Sequence, residues 1–209
     1  MMSAETFWIQ VGAYNEATWP IQAVMIVAAA VLTYRVFARP GLETDAWMKG
    51  FLAFAFAWNG TVFFLVFCRN PISMVIGTPL FVVVSALFVV DIFGKKTHFR
   101  FPEGGWMRGF TIVWILLALL YPLIGWPLGH VYPKVLLPLF PCPLTVFATA
   151  LVAAAVPSAD RKVLIALLPW GLLALPKCFG ALDCYEDCAL FAAGVYGLIV
   201  IIRNWRLLK

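Results

Sequence analysis

The chain has 209 residues, of which 64% are hydrophobic and 12% are charged, and its mean hydropathy is +0.95. The few polar side chains cannot cover the surface of a soluble globule of this length. The composition therefore excludes an ordinary soluble domain and indicates an integral membrane protein. The formal net charge is +5, from 15 Lys and Arg against 10 Asp and Glu.

Apolar stretches of membrane-spanning length follow one another along almost the whole chain. A span needs about 20 apolar residues. This criterion predicts an all-α, polytopic transmembrane bundle of about seven spans in a single domain, residues 1–209. The predicted spans cover residues 19–37, 47–67, 72–93, 107–126, 143–156, 163–176 and 188–202. Ahead of the first span, the aromatic residues of segment 7–19 predict a stretch that lies at the membrane interface.

The last three predicted spans are short. At 1.5 Å per residue they cover only about 21 to 23 Å, less than the hydrocarbon core of a bilayer. The stretch 135–143 before the fifth span is apolar, but Pro138, Pro141 and Pro143 exclude a continuous helix there. We therefore expect a broken or re-entrant segment, and an outward-facing vestibule formed by the broken ends of the last three spans.

Basic residues concentrate in cytoplasmic loops, and they orient the predicted bundle. Twelve fall on one side, against Arg69, Lys134 and Lys177 on the other. The N-terminus is therefore expected outside and the C-terminus in the cytoplasm. The twelve are Arg35, Arg39, Lys49, Lys95, Lys96, Arg100, Arg108, Arg161, Lys162, Arg203, Arg206 and Lys209.

All five cysteines fall on the outer side of this topology. Cys68 ends the second span, Cys142 precedes the fifth, and Cys178, Cys184 and Cys188 lie between the sixth and the seventh. An oxidising outer compartment permits disulfides, for which Cys178, Cys184, Cys188 and Cys68 are the candidates. The alternative is a soft-metal site, with Cys142, Cys178, Cys184 and Cys188 as ligands beside neighbouring carboxylates.

Lys177 is predicted at membrane depth, in the same connection as Asp183, Glu186 and Asp187. Charges at that depth are costly and are usually paired or functional, so these residues form either a salt-bridged cap or a contact for a substrate. The outer side carries five acids against three bases, which predicts a mouth that attracts cations. Asn59, in the middle of the second span, either lines a path or hydrogen-bonds a neighbouring helix or backbone carbonyl.

Several activities find no support in the sequence. The seventh predicted span lacks the lysine that a retinal Schiff base needs, and haem ligation by two histidines is unexpected because His98 and His130 fall on opposite sides. No phosphate-binding loop or nucleophile elbow occurs. The basic C-terminal tail fits anionic lipid better than nucleic acid. His130, in an outer turn, either ligates metal, relays protons or caps the turn.

Four short sequences give the chain a resemblance to a known family. They are Tyr14-Asn15 ahead of Trp19-Pro20, Gly129-His130-Val131-Tyr132-Pro133, Pro141-Cys142-Pro143-Leu144-Thr145-Val146-Phe147, and Glu186-Asp187. With them the chain resembles, over nearly its whole length, an uncharacterised family of bacterial polytopic membrane proteins, domain of unknown function 6064. The resemblance implies a multi-pass protein of the bacterial inner membrane and no particular activity. Cys142 and Asp187 match the family pattern, whereas Cys178, Cys184 and Cys188 look like additions.

Taken together, these patterns favour a small transporter or channel-like protein with an outward vestibule for a cation, such as a thiophilic metal ion. The residues expected to bind the substrate or to gate the path are Asn59, His130, Cys142, Lys177, Asp183, Glu186 and Asp187. Two alternatives stay open: a non-catalytic structural or accessory subunit of a larger membrane complex, and a membrane thiol-disulfide oxidoreductase. The expected partners are the lipid bilayer and other membrane subunits or further copies of the chain, without nucleic acid.

Overall fold

The computed structural model describes residues 2–68, 70–71 and 73–208, which form helices with no strand among them. The α-helices are α1 (Ala4–Ala38), α2 (Leu42–Trp58), α3 (Thr78–Gly94), α4 (Gly105–Leu119), α5 (Tyr121–Gly125), α6 (Pro141–Ala154), α7 (Arg161–Leu172) and α8 (Cys188–Asn204). Two stretches are π-helical, Asn59–Phe67 directly after α2 and Ser73–Gly77 directly before α3. Short 3₁₀ turns follow α5 and α7 and precede α8. The all-α prediction is therefore confirmed.

Five helical segments are long and apolar enough to cross a membrane, where the sequence predicts seven spans. They are Ala4–Ala38, Leu42–Phe67, Ser73–Gly94, Arg161–Phe179 and Tyr185–Asn204. A sixth is added if Met107–Leu119 and Tyr121–Leu128, which are bent by 73° relative to each other, count as one broken span. The length and composition of these helices support a membrane protein.

The first helix is longer than the sequence predicts. The hydroxyl of Ser3 caps it by accepting a hydrogen bond from the Thr6 backbone N–H at 3.2 Å. From there α1 runs for 35 residues, which corresponds to about 52 Å at 1.5 Å per residue. Segment 7–19, predicted as a separate interfacial stretch, is instead the first part of this helix. Of its aromatic side chains, Phe7, Trp8 and Tyr14 are buried against the rest of the bundle, whereas Trp19 is exposed.

The central helix of the bundle is α6, and all 14 of its residues are buried. Pro141 and Pro143 begin it without loss of a hydrogen bond, because the first N–H groups of a helix have no partner within it. Its neighbours are α2, α4, α7 and α8. This helix corresponds to the fifth predicted span, and its shortness fits its position, since it is enclosed by other helices rather than by lipid.

The helices next to α6 approach each other closely where they lack side chains. A Cβ atom added at Gly171 of α7 would lie 2.8 Å from the Cα atom of Gly194 in α8, so only glycine fits at this crossing. The preceding pair, α4 and α5, is sharply bent instead, because Pro122 in the first turn of α5 removes a backbone donor. The bend turns Tyr121 into the bundle, where its side chain is fully buried.

The connection before α6 has the irregular backbone that its prolines predict, and it is buried. Leu139 there has a positive φ of 68°. Side-chain amides supply the donors that its carbonyls would otherwise lack. The Asn15 amide donates to the carbonyls of Pro133 and Val135, at 2.7 and 2.8 Å, and the Asn59 amide donates to the Leu139 carbonyl at 3.0 Å. Irregular backbone is tolerated inside a membrane protein only under this condition.

The bundle has two polar ends. The Asp187 end contains the beginnings of α1, α6 and α8, and the His98 end contains the α1–α2 turn, the α3–α4 connection and the beginning of α7. At the His98 end, Lys49 and Asp91 form an ion pair at 3.2 Å, with side chains that are 2% and 0% exposed. Lys49, predicted in a cytoplasmic loop, therefore lies inside the protein.

We predict that Asn15→Ala lowers the free energy of unfolding by about 2 kcal/mol, because the buried Val135 carbonyl loses its donor and the Pro133 carbonyl keeps only the Val135 N–H. The measurement is chemical or thermal unfolding of the purified protein in detergent. Asn204→Ala is the matched control, since the Asn204 amide donates only to the Val200 carbonyl of its own helix. Equal losses for the two variants would contradict the role assigned to Asn15.

Candidate functional site

The carboxylate of Asp187 is the point on which the polar side chains of the Asp187 end converge. It accepts hydrogen bonds from Lys177 Nζ at 2.7 Å, from the Tyr121 hydroxyl at 2.8 Å and from the Cys142 thiol at 3.1 Å. Lys177 Nζ also lies 3.7 Å from Cys142 Sγ. We call these four residues, Tyr121, Cys142, Lys177 and Asp187, the Asp187 cluster.

Breaks in the helices bring the Asp187 cluster together. Tyr121 begins α5 after the bend, Cys142 lies in the first turn of α6, Lys177 lies in the 3₁₀ turn after α7, and Asp187 ends the 3₁₀ turn before α8. Continuous helices would keep these side chains on separate axes. The unwound stretches let the backbone change direction, so that side chains from four segments reach one carboxylate.

The ion pair between Lys177 and Asp187 is shielded from water. The two side chains are 19% and 0% exposed. Desolvation offsets most of the Coulomb attraction in such a pair, so its net stabilisation is small, but removal of one partner typically costs about 3–5 kcal/mol. The Tyr121 hydroxyl and the Cys142 thiol occupy further lone pairs of the carboxylate, which is what makes the buried charge tolerable.

Aromatic rings enclose the ammonium group of Lys177. Its Nζ atom lies 5.9 Å from the ring centroid of Phe7 and 5.8 Å from that of Trp170. Cations are attracted to the faces of such rings at about this distance. The ring faces of Phe7 and Trp170 therefore hold the lysine in position beside the carboxylate.

A second polar contact supports the cluster from the side of α1. His130 Nδ1 lies 2.9 Å from Glu186 Oε1, and the imidazole stacks on Trp8 with ring centroids 3.8 Å apart. The Trp8 indole N–H donates to the Leu182 carbonyl at 3.0 Å, where Leu182 has a positive φ of 66°. The Tyr121 hydroxyl also lies 2.9 Å from the Glu186 carbonyl oxygen. These contacts fix the irregular backbone that presents Asp187.

A cavity of about 250 Å³ lies beside the Asp187 cluster and includes Cys142 and Lys177 in its wall. Five of its lining residues are aromatic: Phe7, Phe63, Phe64, Phe140 and Trp170. Its other lining residues are Met2, Cys68, Asn70, Ser73, Ile76, Pro141, Leu173 and Leu182. At about 30 Å³ per water molecule, the cavity has room for roughly eight waters, the size of a small organic molecule. Among the described lining residues, only Lys177 is charged.

Five residues predicted to form the site lie together at the Asp187 end. Cys142, Lys177 and Asp187 belong to the cluster, and Glu186 and His130 form the contact beside it. The salt-bridged arrangement predicted for Lys177 is present, with Asp187 as its partner.

Asp183 and Asn59 lie outside this group. Asp183 is exposed, and its carboxylate forms no hydrogen bond or ion pair with the described part of the chain. The amide of Asn59 donates to the carbonyls of Ala55 and Leu139, at 2.9 and 3.0 Å. Asn59 therefore has the backbone-bonding role that the sequence leaves open.

The five cysteines do not gather at one point, and all are free. Cys142 and Cys184 are buried, Cys178 and Cys188 are neighbours, and Cys68 lines the cavity. The structure therefore forms none of the disulfides predicted among Cys178, Cys184, Cys188 and Cys68.

The described residues also contain no group of three or more His, Cys, Asp or Glu side chains that could hold a metal ion. The soft-metal site predicted from Cys142, Cys178, Cys184 and Cys188 is thus not formed by them. The reason is local: Cys184 has non-helical φ and ψ, between two 3₁₀ turns. The stretch from Cys184 to Cys188 is therefore not one continuous helix, so the two side chains do not share a helical face.

Burial makes two of the thiols poor nucleophiles. It raises the pKa of Cys184 well above its ordinary value, and the neighbouring Asp187 carboxylate raises it further. Burial also raises the pKa of Cys68. Since the thiolate is the reactive form, the raised pKa lowers the reactivity of both thiols.

Sequence reasoning missed Tyr121 and the aromatic residues that build the cavity. Tyr121 stands immediately before Pro122, and a tyrosine at a proline bend was the one signal that could have marked it. The individual Phe and Trp residues give no such signal, because the chain contains 18 Phe and 9 Trp.

A family model described as a family of unknown function (DUF6064) matches residues 4–209, and the chain belongs to this family. Neither the curated proteins nor the solved structures include a match. The four short sequences that carry the family resemblance meet at the Asp187 end: Asn15 holds Pro133, His130 contacts Glu186, and Cys142 contacts Asp187.

We predict strong coupling between Lys177 and Asp187. Lys177→Met or Asp187→Asn alone should each lower the free energy of unfolding by about 3–5 kcal/mol, because each removes one partner of a buried ion pair. The double variant should lose clearly less than the sum, since no unpaired charge remains. Denaturant unfolding of the four proteins in detergent measures the difference, and additive losses would show that the pair is not coupled.

We also predict the pattern of thiol labelling in the folded protein. N-ethylmaleimide should modify Cys178 and Cys188, whose side chains are partly or largely exposed, and should modify Cys68, Cys142 and Cys184 only after denaturation. Peptide mass spectrometry before and after denaturation identifies the labelled sites. Rapid labelling of Cys142 in the folded protein would contradict its enclosure by the Asp187 cluster.

Proposed function

We propose that this protein binds a small organic acid with an apolar body in the aromatic cavity and carries it across a membrane. The observation that supports this most directly is the position of Lys177, which is the one charged side chain among the described residues of the cavity wall. Its ammonium group has three N–H donors, and among the described residues only Asp187 and, weakly, Cys142 accept from it. A donor is therefore free to meet an acceptor group of a ligand.

The two members of the ion pair differ in access. Lys177 retains 19% of its side-chain exposure, whereas Asp187 retains none. A ligand in the cavity thus meets the positive partner and not the negative one. A carboxylate is the common organic group that combines negative charge with acceptor oxygens, and a charge-assisted hydrogen bond to it would be short and strong.

The walls favour an apolar body on that acid. Five aromatic rings surround the cavity, and burial of apolar surface against them contributes about 25 cal/mol per Å². A site with apolar walls and one well-placed polar group is typical of small-molecule pockets. A single-ring or short-chain carboxylic acid matches both features.

The same geometry gives less support to the cation expected from the sequence. The Asp187 carboxylate is enclosed and already accepts three hydrogen bonds, so it has little capacity to bind a cation. The ring faces of Phe7 and Trp170, which could attract one, lie beside the Lys177 ammonium group. For thiol-disulfide exchange, Cys184 is unsuited because it is buried, which leaves the neighbouring Cys178 and Cys188 as the candidate pair.

In this proposal the chain crosses the bacterial inner membrane seven times, with the bent α4–α5 pair and the short α6 counted as spans. The cavity then faces outward and the C-terminus lies in the cytoplasm. The distribution of basic residues supports this orientation, since eleven of the described ones belong to segments on the side of the His98 end. The enclosure of α6 supports its count as a span, because a helix surrounded by protein does not have to match the thickness of the bilayer.

Release of the ligand would depend on the ion pair. A bound carboxylate and the Asp187 carboxylate compete for the same ammonium group, so binding weakens one contact between the broken ends of α7 and α8. A ligand shifts the equilibrium between two conformations of a protein only by the difference between its affinities for them. Competition for Lys177 would provide this difference in affinity, because the ligand would bind more tightly to the conformation in which the ion pair is open. No second binding site is needed.

The test compares benzoate with benzylamine, which share a ring and differ in charge. Because Trp170 lines the cavity, we expect benzoate to change the tryptophan fluorescence of the protein in detergent, and benzylamine to have no effect. Lys177→Met should weaken benzoate binding at least about tenfold, equivalent to about 1.4 kcal/mol. Lys134→Met, which removes an exposed lysine of the same end, is the control.

If Lys177→Met fails to fold, the Lys177→Met/Asp187→Asn double variant takes its place. Protein reconstituted in liposomes should then take up radiolabelled benzoate, and the lysine variant should not. Preference for benzylamine would overturn the assignment of the ligand class. Binding without uptake would overturn transport and favour an accessory subunit instead.

A further inference from the structure

The His98 end contains a second and larger cavity, of about 710 Å³. It lies between the end of α1 and the beginning of α4, and its wall includes the basic side chains of Arg100 and Arg108. Glu103 is the one acidic residue among its described lining residues. Two guanidinium groups against one carboxylate leave the cavity with a net positive charge.

An apolar groove of about 380 Å³ continues from this cavity along the surface. Phe37 and Phe101 line both spaces, so the cavity and the groove meet at these two rings. Beyond them the groove lies between α1 and α4, with Tyr34 on one side and Leu116 on the other. These two side chains are 69% and 48% exposed, so the groove opens on the outer surface of the bundle.

The two arginines are available for a ligand. Among the described residues, neither forms an ion pair, in contrast to Arg35, which pairs with Glu43 at 3.1 Å. The guanidinium carbon of Arg108 lies 5.2 Å above the ring of Phe37. Stacking of this kind orients the planar group while leaving its N–H donors free at the edge.

We propose that this continuous space binds one anionic phospholipid, with an acyl chain in the α1–α4 groove and the phosphate at Arg100 and Arg108. A guanidinium group matches phosphate geometry with two parallel hydrogen bonds. The apolar groove decides between a lipid and a soluble anion, because a free phosphate would leave the groove unfilled. Basic pockets between membrane helices are suited to anionic headgroups in this way.

The first test measures lipid retention by native mass spectrometry. The full chain is purified in detergent with equal amounts of phosphatidylglycerol and phosphatidylcholine that carry the same acyl chains. We expect preferential retention of phosphatidylglycerol, and at least about a tenfold loss of that preference in Arg100→Gln/Arg108→Gln. The control is Arg203→Gln/Arg206→Gln, which removes the same charge from the same end outside the cavity. An unchanged preference in the first variant, or an equal loss in the control, would overturn the site.

The second test separates a lipid from a free phosphate. Leu116→Trp fills the groove and leaves both arginines in place, so it should reduce phosphatidylglycerol retention as strongly as the arginine variant. Leu123→Trp, at an exposed position of α5 outside the groove, should not. If Leu116→Trp retains the lipid while millimolar inorganic phosphate displaces it, the site recognises phosphate alone and the lipid proposal fails.

Discussion

The Asp187 carboxylate receives hydrogen bonds from three groups that reach it from three separate segments of chain. Each of those segments is a helix that breaks or begins within the bundle. A buried carboxylate without such donors would be strongly destabilising, and the donors without the carboxylate would be unsatisfied in turn. The donors and the carboxylate therefore depend on each other. Lys177, Tyr121 and Cys142 need a common acceptor, and they reach the Asp187 carboxylate only because the helices break or begin near it.

The same constraint explains the asparagines of α1 and of the π-helical stretch after α2. A connection interrupted by prolines leaves carbonyl groups that no helix can satisfy, and lipid offers no donor. Asn15 and Asn59 satisfy three of these carbonyls. The side chains of Asn15 and Asn59 thus hold the connection before α6 in the conformation that places Cys142 beside Asp187. The aromatic cavity is the space that remains between these two fixed regions.

Much of this could be predicted from the sequence. Hydropathy alone identifies the helical class, the prolines before α6 predict irregular backbone, and the cost of a buried charge predicts a partner for Lys177. Other features depend on distances that a sequence does not contain. The cysteines are close in sequence between α7 and α8, yet the 3₁₀ turns and the non-helical backbone at Cys184 leave Cys184 buried apart from the neighbouring Cys178 and Cys188. The early aromatic residues of α1 resemble an interfacial belt in sequence, and only contacts such as that of Trp8 with His130 show that Phe7, Trp8 and Tyr14 are buried in the bundle.

The two ends of the bundle each contain a buried lysine–aspartate pair, but the pairs differ in what can reach them. Lys49 is 2% exposed and donates to both the carboxylate and the backbone carbonyl of Asp91, so it is fixed within a closed network. Lys177 borders a cavity and has a single strong acceptor, so a ligand can compete for it. A change that begins at the Asp187 end can therefore loosen the contact between α7 and α8 while the His98 end stays intact. In the proposed transporter, this would be the step in which the Asp187 end opens while the His98 end remains closed.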